Sequence, residues 1–154
     1  MHERTTPKDY ALLALRLAGL YLALGHGLGK IIALTSGQDW WLNAVSGLGF
    51  PLPVVFAWAA ALSEFVGGLC IALGLFTRVA AFFAACTMAT AAFLRHGAIT
   101  QFLAWIGLSS ATPDQLESLG NPERAILFLL MWIALMILGG GRLSLEARLG
   151  ERRR

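Results

Sequence analysis

Four runs of apolar residues, each of bilayer-crossing length, divide the chain: residues 10–32, 54–75, 79–95 and 122–140. A helix rises 1.5 Å per residue, so about 20 apolar residues cover a hydrocarbon core about 30 Å thick. Only Phe76-Thr77-Arg78 separates the second run from the third, which predicts a tight antiparallel hairpin. The fourth opens on Asn121-Pro122-Glu123, a capping residue, a proline at the first helical position and an acid in the first turn. It stops at Gly139-Gly140-Gly141. Two segments remain. Residues 33–53 carry Trp40-Trp41 and Phe50-Pro51-Leu52-Pro53, and paired tryptophans suit the headgroup layer. Residues 97–121 hold Phe102-Leu103-Ala104-Trp105-Ile106, too short to span, and then Thr112-Pro113-Asp114-Gln115, a capping box opening one or two turns that Gly120 closes. The pattern predicts an all-α membrane protein: one integral domain over residues 1–154, a bundle of four transmembrane helices, and short interfacial helices in the two outer loops. Together those loops form a lid over the outer ends of the spans.

Composition agrees. Of 154 residues, 57% are hydrophobic and 14% charged, against about 25% charged in a soluble domain. A net charge of +3 would suggest nucleic acid for a soluble protein, but here most of the basic residues flank spans and serve orientation, so no nucleic-acid partner is expected. Arg4, Lys8, Arg78, Arg142, Arg148 and Arg152-Arg153-Arg154 fall on one side, and Lys30, Arg95 and Arg124 on the other. Eight against three puts both termini in the cytoplasm by the positive-inside rule. Arg16 interrupts the first run and no Ala-x-Ala site follows it, so a removable signal peptide is not expected. Cys70 and Cys86, inside apolar runs, have neither metal-ligand nor CxxC spacing and read as small buried apolar residues.

Charge inside the spans carries the chemistry. Glu64 is the only ionisable residue in the second run, and a carboxylate near the bilayer centre costs roughly 2.5–3.5 kcal/mol on the mildest scale. It needs a partner, a proton or a watered cavity. On the first span His26 and Lys30 are four apart and share a face, with Gly19 on the same stripe. Glu64 is placed roughly 5 Å deeper from the outer surface than His26, within side-chain reach. His96, at the outer end of the third span, completes an outward-facing cluster of His26, Lys30, Glu64 and His96, with His26 the first candidate partner for Glu64. Arg16 lies roughly 10 Å to the cytoplasmic side of Glu64. Two placements stand for it: snorkelling to the inner interface, or a buried pair with Glu64. Arg78 and Arg142 fix span ends at the inner headgroups. The glycines around His26 and Gly67-Gly68 allow a close approach, of a neighbouring helix or of a flat ligand.

Two histidines and a carboxylate are a metal-ligand set in kind, for zinc, iron or manganese, and His26 with His96 could hold haem. Yet no His-x-x-x-His or Glu-x-x-His spacing supports either, and no metal site is assigned. A proton or quinone site is physically easier, because a mid-membrane Glu exchanges a proton and a histidine bonds a quinone carbonyl. No Walker loop, dinucleotide fingerprint or Ser-His-Asp order is present.

These residues resemble the DoxX family of small bacterial membrane proteins. The resemblance is carried by Arg16-Leu17-Ala18-Gly19, His26-Gly27-Leu28-Gly29-Lys30 and Glu64-Phe65-Val66-Gly67-Gly68, running into Leu73-Gly74-Leu75-Phe76-Thr77-Arg78-Val79-Ala80-Ala81. Ala92 through His96, Glu123-Arg124-Ala125-Ile126-Leu127 and Gly140-Gly141-Arg142-Leu143-Ser144-Leu145-Glu146 extend it along nearly the whole chain. The family often has Gly-Pro-Gly-Arg where this chain has Gly139-Gly140-Gly141-Arg142, a change expected to loosen the helix end without altering the site. The resemblance implies a multi-pass protein of the bacterial inner membrane, associated with quinone-linked oxidoreductases and terminal oxidases. The leading expectation is thus a subunit or membrane anchor of a redox system, with the lipid bilayer, quinone and other redox subunits as partners. Glu64 and His26 would hold its polar site, Lys30 and His96 its mouth, and Arg16 its charge balance. The alternative is non-enzymatic: a small transporter, or a scaffold whose buried polar residues fix helix packing.

Overall fold

The computed structural model describes residues 5–151, so Arg4 and Arg152–Arg154, half of the basic residues counted on the cytoplasmic side, lie outside the described residues. All regular structure among the described residues is helical. The first helix, α1, runs unbroken over Pro7–Ser36. Thr6 starts it: the Asp9 carboxylate accepts hydrogen bonds from the Thr6 N–H (2.8 Å) and hydroxyl (2.7 Å), and Pro7 occupies the first turn. Gly37, at φ 72°, ends it. Near its middle, Ala23–Gly27 winds as a π-helical turn. After the short α2 (Trp40–Ser46) comes α3, Pro53–Leu73. It ends in a Schellman cap, with Gly74 at φ 71° and the Leu75 N–H bonded to the Cys70 carbonyl. The fourth helix, α4, covers Thr77–Arg95, with a second π-helical stretch at Thr90–Arg95.

The segment after α4 folds into α5 (Ala98–Trp105) and α6 (Pro113–Leu119). Thr112 and Gln115 form the expected capping box on α6, and Gly120 closes it. Asn121 then caps α7 (Glu123–Leu138), its Oδ1 accepting the Glu123 N–H at 2.7 Å. A last short helix, α8 (Leu145–Glu151), lies beyond the triple glycine, where no element was predicted.

By length and apolarity α1, α3 and α4 can each cross a membrane, and α6 with α7, bent by 47°, makes a fourth candidate. In packing order, α1 lies against α3, α3 against α4 and α4 against α7, while α1 touches α7 only sparsely. Alanines set the spacing of the half nearer the described chain ends, called inner for the positions of those ends alone, with outer for the opposite half. Ala80, Ala81, Ala84 and Ala85 of α4 are buried in a core with Leu12, Leu22, Ile71, Trp132 and Leu135. The outer surface is inverted relative to a soluble protein: Leu17, Tyr21, Val55, Val66, Phe82, Phe83, Leu127 and Ile137 are exposed. Such a face is an aggregation liability in water and the matching surface for lipid. Small buried residues occur along the whole α1–α3 seam, with Ala57 and Ala61 fully buried toward the outer end. The main cavity lies toward that end, lined by His26, Lys30, Glu64 and His96.

Candidate functional site

Helices α1 and α3 run antiparallel at very close range. A methyl at Gly27 would meet the Phe65 backbone nitrogen at 2.4 Å, and one at Gly19 would meet the Gly68 carbonyl oxygen at 2.6 Å. Ala23, fully buried, completes a stripe of small residues at four-residue spacing, the pattern that lets two helix backbones touch. This register puts Lys30 one turn beyond Glu64. Side chains lean toward their own helix N-terminus, and in an antiparallel pair these two lean toward each other. They meet: Lys30 Nζ donates to both Glu64 oxygens, at 2.5 and 2.6 Å. The Glu64 side chain is 1% exposed and the Lys30 side chain 14%. Of the sequence candidates for pairing with Glu64, Lys30 is the partner found, ahead of His26.

The pair also fixes α2. Lys30 Nζ stands 4.1 Å from the Trp41 ring centroid, a cation–π contact. The Trp41 indole N–H donates to the Ala57 carbonyl of α3 at 3.0 Å. Trp41 thus latches the short helix over the ion pair. Sequence reading placed it in the headgroup layer and missed this contact; its place beside another tryptophan just after a span carrying an outer-third lysine was the signal available.

Around the pair lies a cavity of about 690 Å³, in the size range of small-molecule sites. It takes side chains from α1, α2, α3, α4 and the start of α7, mostly apolar. His26, carried by the π-helical turn, lines it half-buried, with its edge on Tyr21 (5.6 Å between centroids) and no hydrogen bond among the described residues. Tyr21 continues into a stack with Phe128 and Trp132 of α7, closing the thin α1–α7 seam. Both π-helical turns border this cavity, and such turns occur frequently at functional sites. Arg95 and Arg124 line its outer mouth, two residues that sequence reading assigned only to span ends.

His96 also lines the cavity, but its Nδ1 is 2.7 Å from the Leu119 carbonyl. Gln101 bonds the His96 and Gly120 carbonyls, so this corner ties α4 to the start of α7. Arg16 stands apart from the cluster. It is 2% exposed and donates from Nε to the Ile71 carbonyl (3.1 Å) and from its terminal nitrogens to the Gly140 (3.1 Å) and Ala72 (2.9 Å) carbonyls. Neither snorkelling nor a pair with Glu64 is found. Antiparallel packing instead delivers the guanidinium to the C-terminal carbonyls of α3, where cations are favoured. The same inner end is laced by Glu146, whose carboxylate accepts the Thr77 N–H at 3.1 Å, and by Asp9, which accepts the Arg142 N–H at 3.0 Å. Gly140 fits there because a methyl would stand 2.6 Å from Thr77 Oγ1.

Two constellations therefore occupy opposite ends: an inner knot of Arg16, Asp9, Thr77 and Glu146, and an outer cavity with Lys30–Glu64, His26 and His96. Among the described residues no three His, Cys, Asp or Glu side chains are grouped to hold a metal. Neither a curated protein nor a solved structure matches the chain. The DoxX family model matches residues 11–97, more than half the chain and the stretch that carries Arg16, His26, Lys30, Glu64 and His96; the chain belongs to the DoxX family.

Proposed function

We propose that this protein is a four-span subunit or anchor of a quinone-linked redox system in the bacterial inner membrane, with both termini cytoplasmic and α2 and α5 at the outer interface. One observation carries the reading: an ion pair bordering a largely apolar cavity, beside an imidazole with no hydrogen bond among the described residues. The residues fit a quinone. The cavity admits a flat ring and part of an isoprenoid tail, and His26 offers its ring nitrogens to a carbonyl. A bound quinone would supply two-electron, two-proton redox chemistry. The chain's own part is to orient the ring at His26, to hold a carboxylate at Glu64 whose charge Lys30 offsets, and to exclude water through Trp41 and α2.

Titration of the purified protein with short-tailed ubiquinone and menaquinone analogues tests this, comparing wild type with Glu64→Gln and His26→Ala. The expected result is micromolar binding that weakens tenfold or more in both variants. Equal affinity in all three proteins, or no binding by wild type, would refute it.

A scaffold reading is favoured by the fact that both buried charges within the α1–α3 pair, Arg16 and Glu64, bond to neighbouring helices. Interhelical polar contacts in membranes average about 0.6 kcal/mol, enough to fix register without chemistry. That reading predicts lower thermal stability for Glu64→Gln with respiratory quinone turnover unchanged. A transporter would instead show Glu64-dependent flux in proteoliposomes.

A further inference from the structure

We propose that the outer cavity binds an anionic amphiphile, a molecule with a phosphate or carboxylate head and an apolar tail, which enters from the lipid between α3 and α4. The inference goes beyond the quinone reading and stands without it.

Charge comes first. Glu64 is the one acid among the lining residues, and Lys30 offsets it. Arg95 and Arg124 line the mouth with no ion pair or hydrogen bond among the described residues. Both are exposed and line the same cavity, as does Asn121, and the stretch Thr90–Arg95 packs on α7. Two uncompensated guanidiniums at the rim of an apolar space are suited to an oxyanion head, which a guanidinium fork binds in bidentate fashion.

The second observation is the route. Phe56 and Phe83 line the cavity and are also 39% and 56% exposed, and Cys86, another lining residue, is exposed rather than buried as its apolar run suggested. The cavity therefore reaches the apolar flank of the bundle between α3 and α4. The Thr87 hydroxyl, one turn to the outer side of Phe83, donates to Ser63 Oγ at 3.1 Å and bridges the two helices between the levels of Phe56 and Phe83. A free anion would satisfy the arginines and leave the apolar space unfilled. An apolar tail fills it, and each buried methylene strengthens binding about fourfold.

The test uses the full-length protein in nonionic micelles with three probes: hexadecyl phosphate, hexadecanol and inorganic phosphate. Wild type is expected to bind hexadecyl phosphate at least tenfold more tightly than hexadecanol, with millimolar inorganic phosphate failing to compete. Arg95→Gln/Arg124→Gln should abolish that preference while leaving hexadecanol affinity within twofold, and Arg95→Lys/Arg124→Lys should restore most of it. Equal affinity for the charged and neutral probes overturns the proposal, as does an unchanged preference in the glutamine variant. Effective competition by inorganic phosphate would mark a surface ion site and also overturn it. A quinone titration on the same samples separates the two readings: wild type that discriminates the head but binds no quinone sinks the quinone reading alone.

Discussion

Replacing Lys30 with methionine keeps the length of the side chain and deletes its charge, leaving the Glu64 carboxylate 1% exposed and without its partner. At 2.5 Å and an effective dielectric near 20 the gross attraction in the pair is about 7 kcal/mol. Desolvation of both groups offsets much of this, and breaking one side of a buried pair typically costs about 3–5 kcal/mol. Lys30→Met is therefore expected to destabilise the protein by at least about 3 kcal/mol. Glu64→Met should cost somewhat less, because the stranded ammonium at 14% exposure retains some access to solvent. The double variant Lys30→Met/Glu64→Met removes both charges and should lie within about 2 kcal/mol of wild type, since apolar replacement of a whole buried pair is often close to neutral. Equilibrium unfolding in mixed micelles of all four proteins gives the coupling energy directly. Costs that add to within about 0.5 kcal/mol, as for independent sites, would refute the claim that this pair is a coupled buried unit.

The other contacts give sharper local expectations. Arg16→Lys supplies one ammonium where three carbonyls are now served by a fork, and should lower stability by about 2 kcal/mol, with faster amide exchange around residues 71–75; unchanged exchange there would contradict the inner knot. Gly27→Ala must push α1 from α3, because its methyl would sit 2.4 Å from the Phe65 nitrogen, and should cost about 1–3 kcal/mol. Gly29→Ala, with open space around it, should be neutral or stabilising by up to about 1 kcal/mol, and the pair of thermal midpoints checks both. Trp41→Leu loses the cation–π contact and the bond to Ala57, so α2 should become markedly more susceptible to limited proteolysis, whereas Trp41→Phe, which keeps a ring over Lys30, should fall between.

Much of the helical frame was legible because apolar runs punctuated by Gly74, Asn121-Pro122 and Gly139 leave the backbone few alternatives. The capping box at Thr112 and the short helices in the loops followed from local rules as well. Partner choice inside the bundle did not. Depth counting favoured His26 for Glu64 because it compared backbone heights; the tilt of each side chain toward its own N-terminus moves the lysine ammonium inward and the carboxylate outward, so Lys30 closes the gap. The same omission hid the destination of Arg16, which reaches carbonyls at the end of α3 and beyond α7. Carbonyl acceptors leave no mark in a residue pattern. The short α8 escaped notice because Gly139-Gly140-Gly141 reads as a stop, and its anchor is long-range: the Glu146 N–H to the Gly74 carbonyl and the Glu146 carboxylate to Thr77. Arg95 and Arg124 were visible only as span ends, since their sharing of one cavity lining depends on how α4 packs against α7.

Photolabelling in native membranes tests the central claim most directly. With an azidoquinone of natural tail length, mapping of the adducts should find them on the segment from His26 to Lys30, on Trp41 and on the α3 turn around Glu64, with labelling suppressed by excess unmodified quinone. Adducts confined to the lipid-facing residues Leu17, Phe82 and Leu127, or labelling that excess quinone fails to suppress, would contradict a quinone site in the outer cavity.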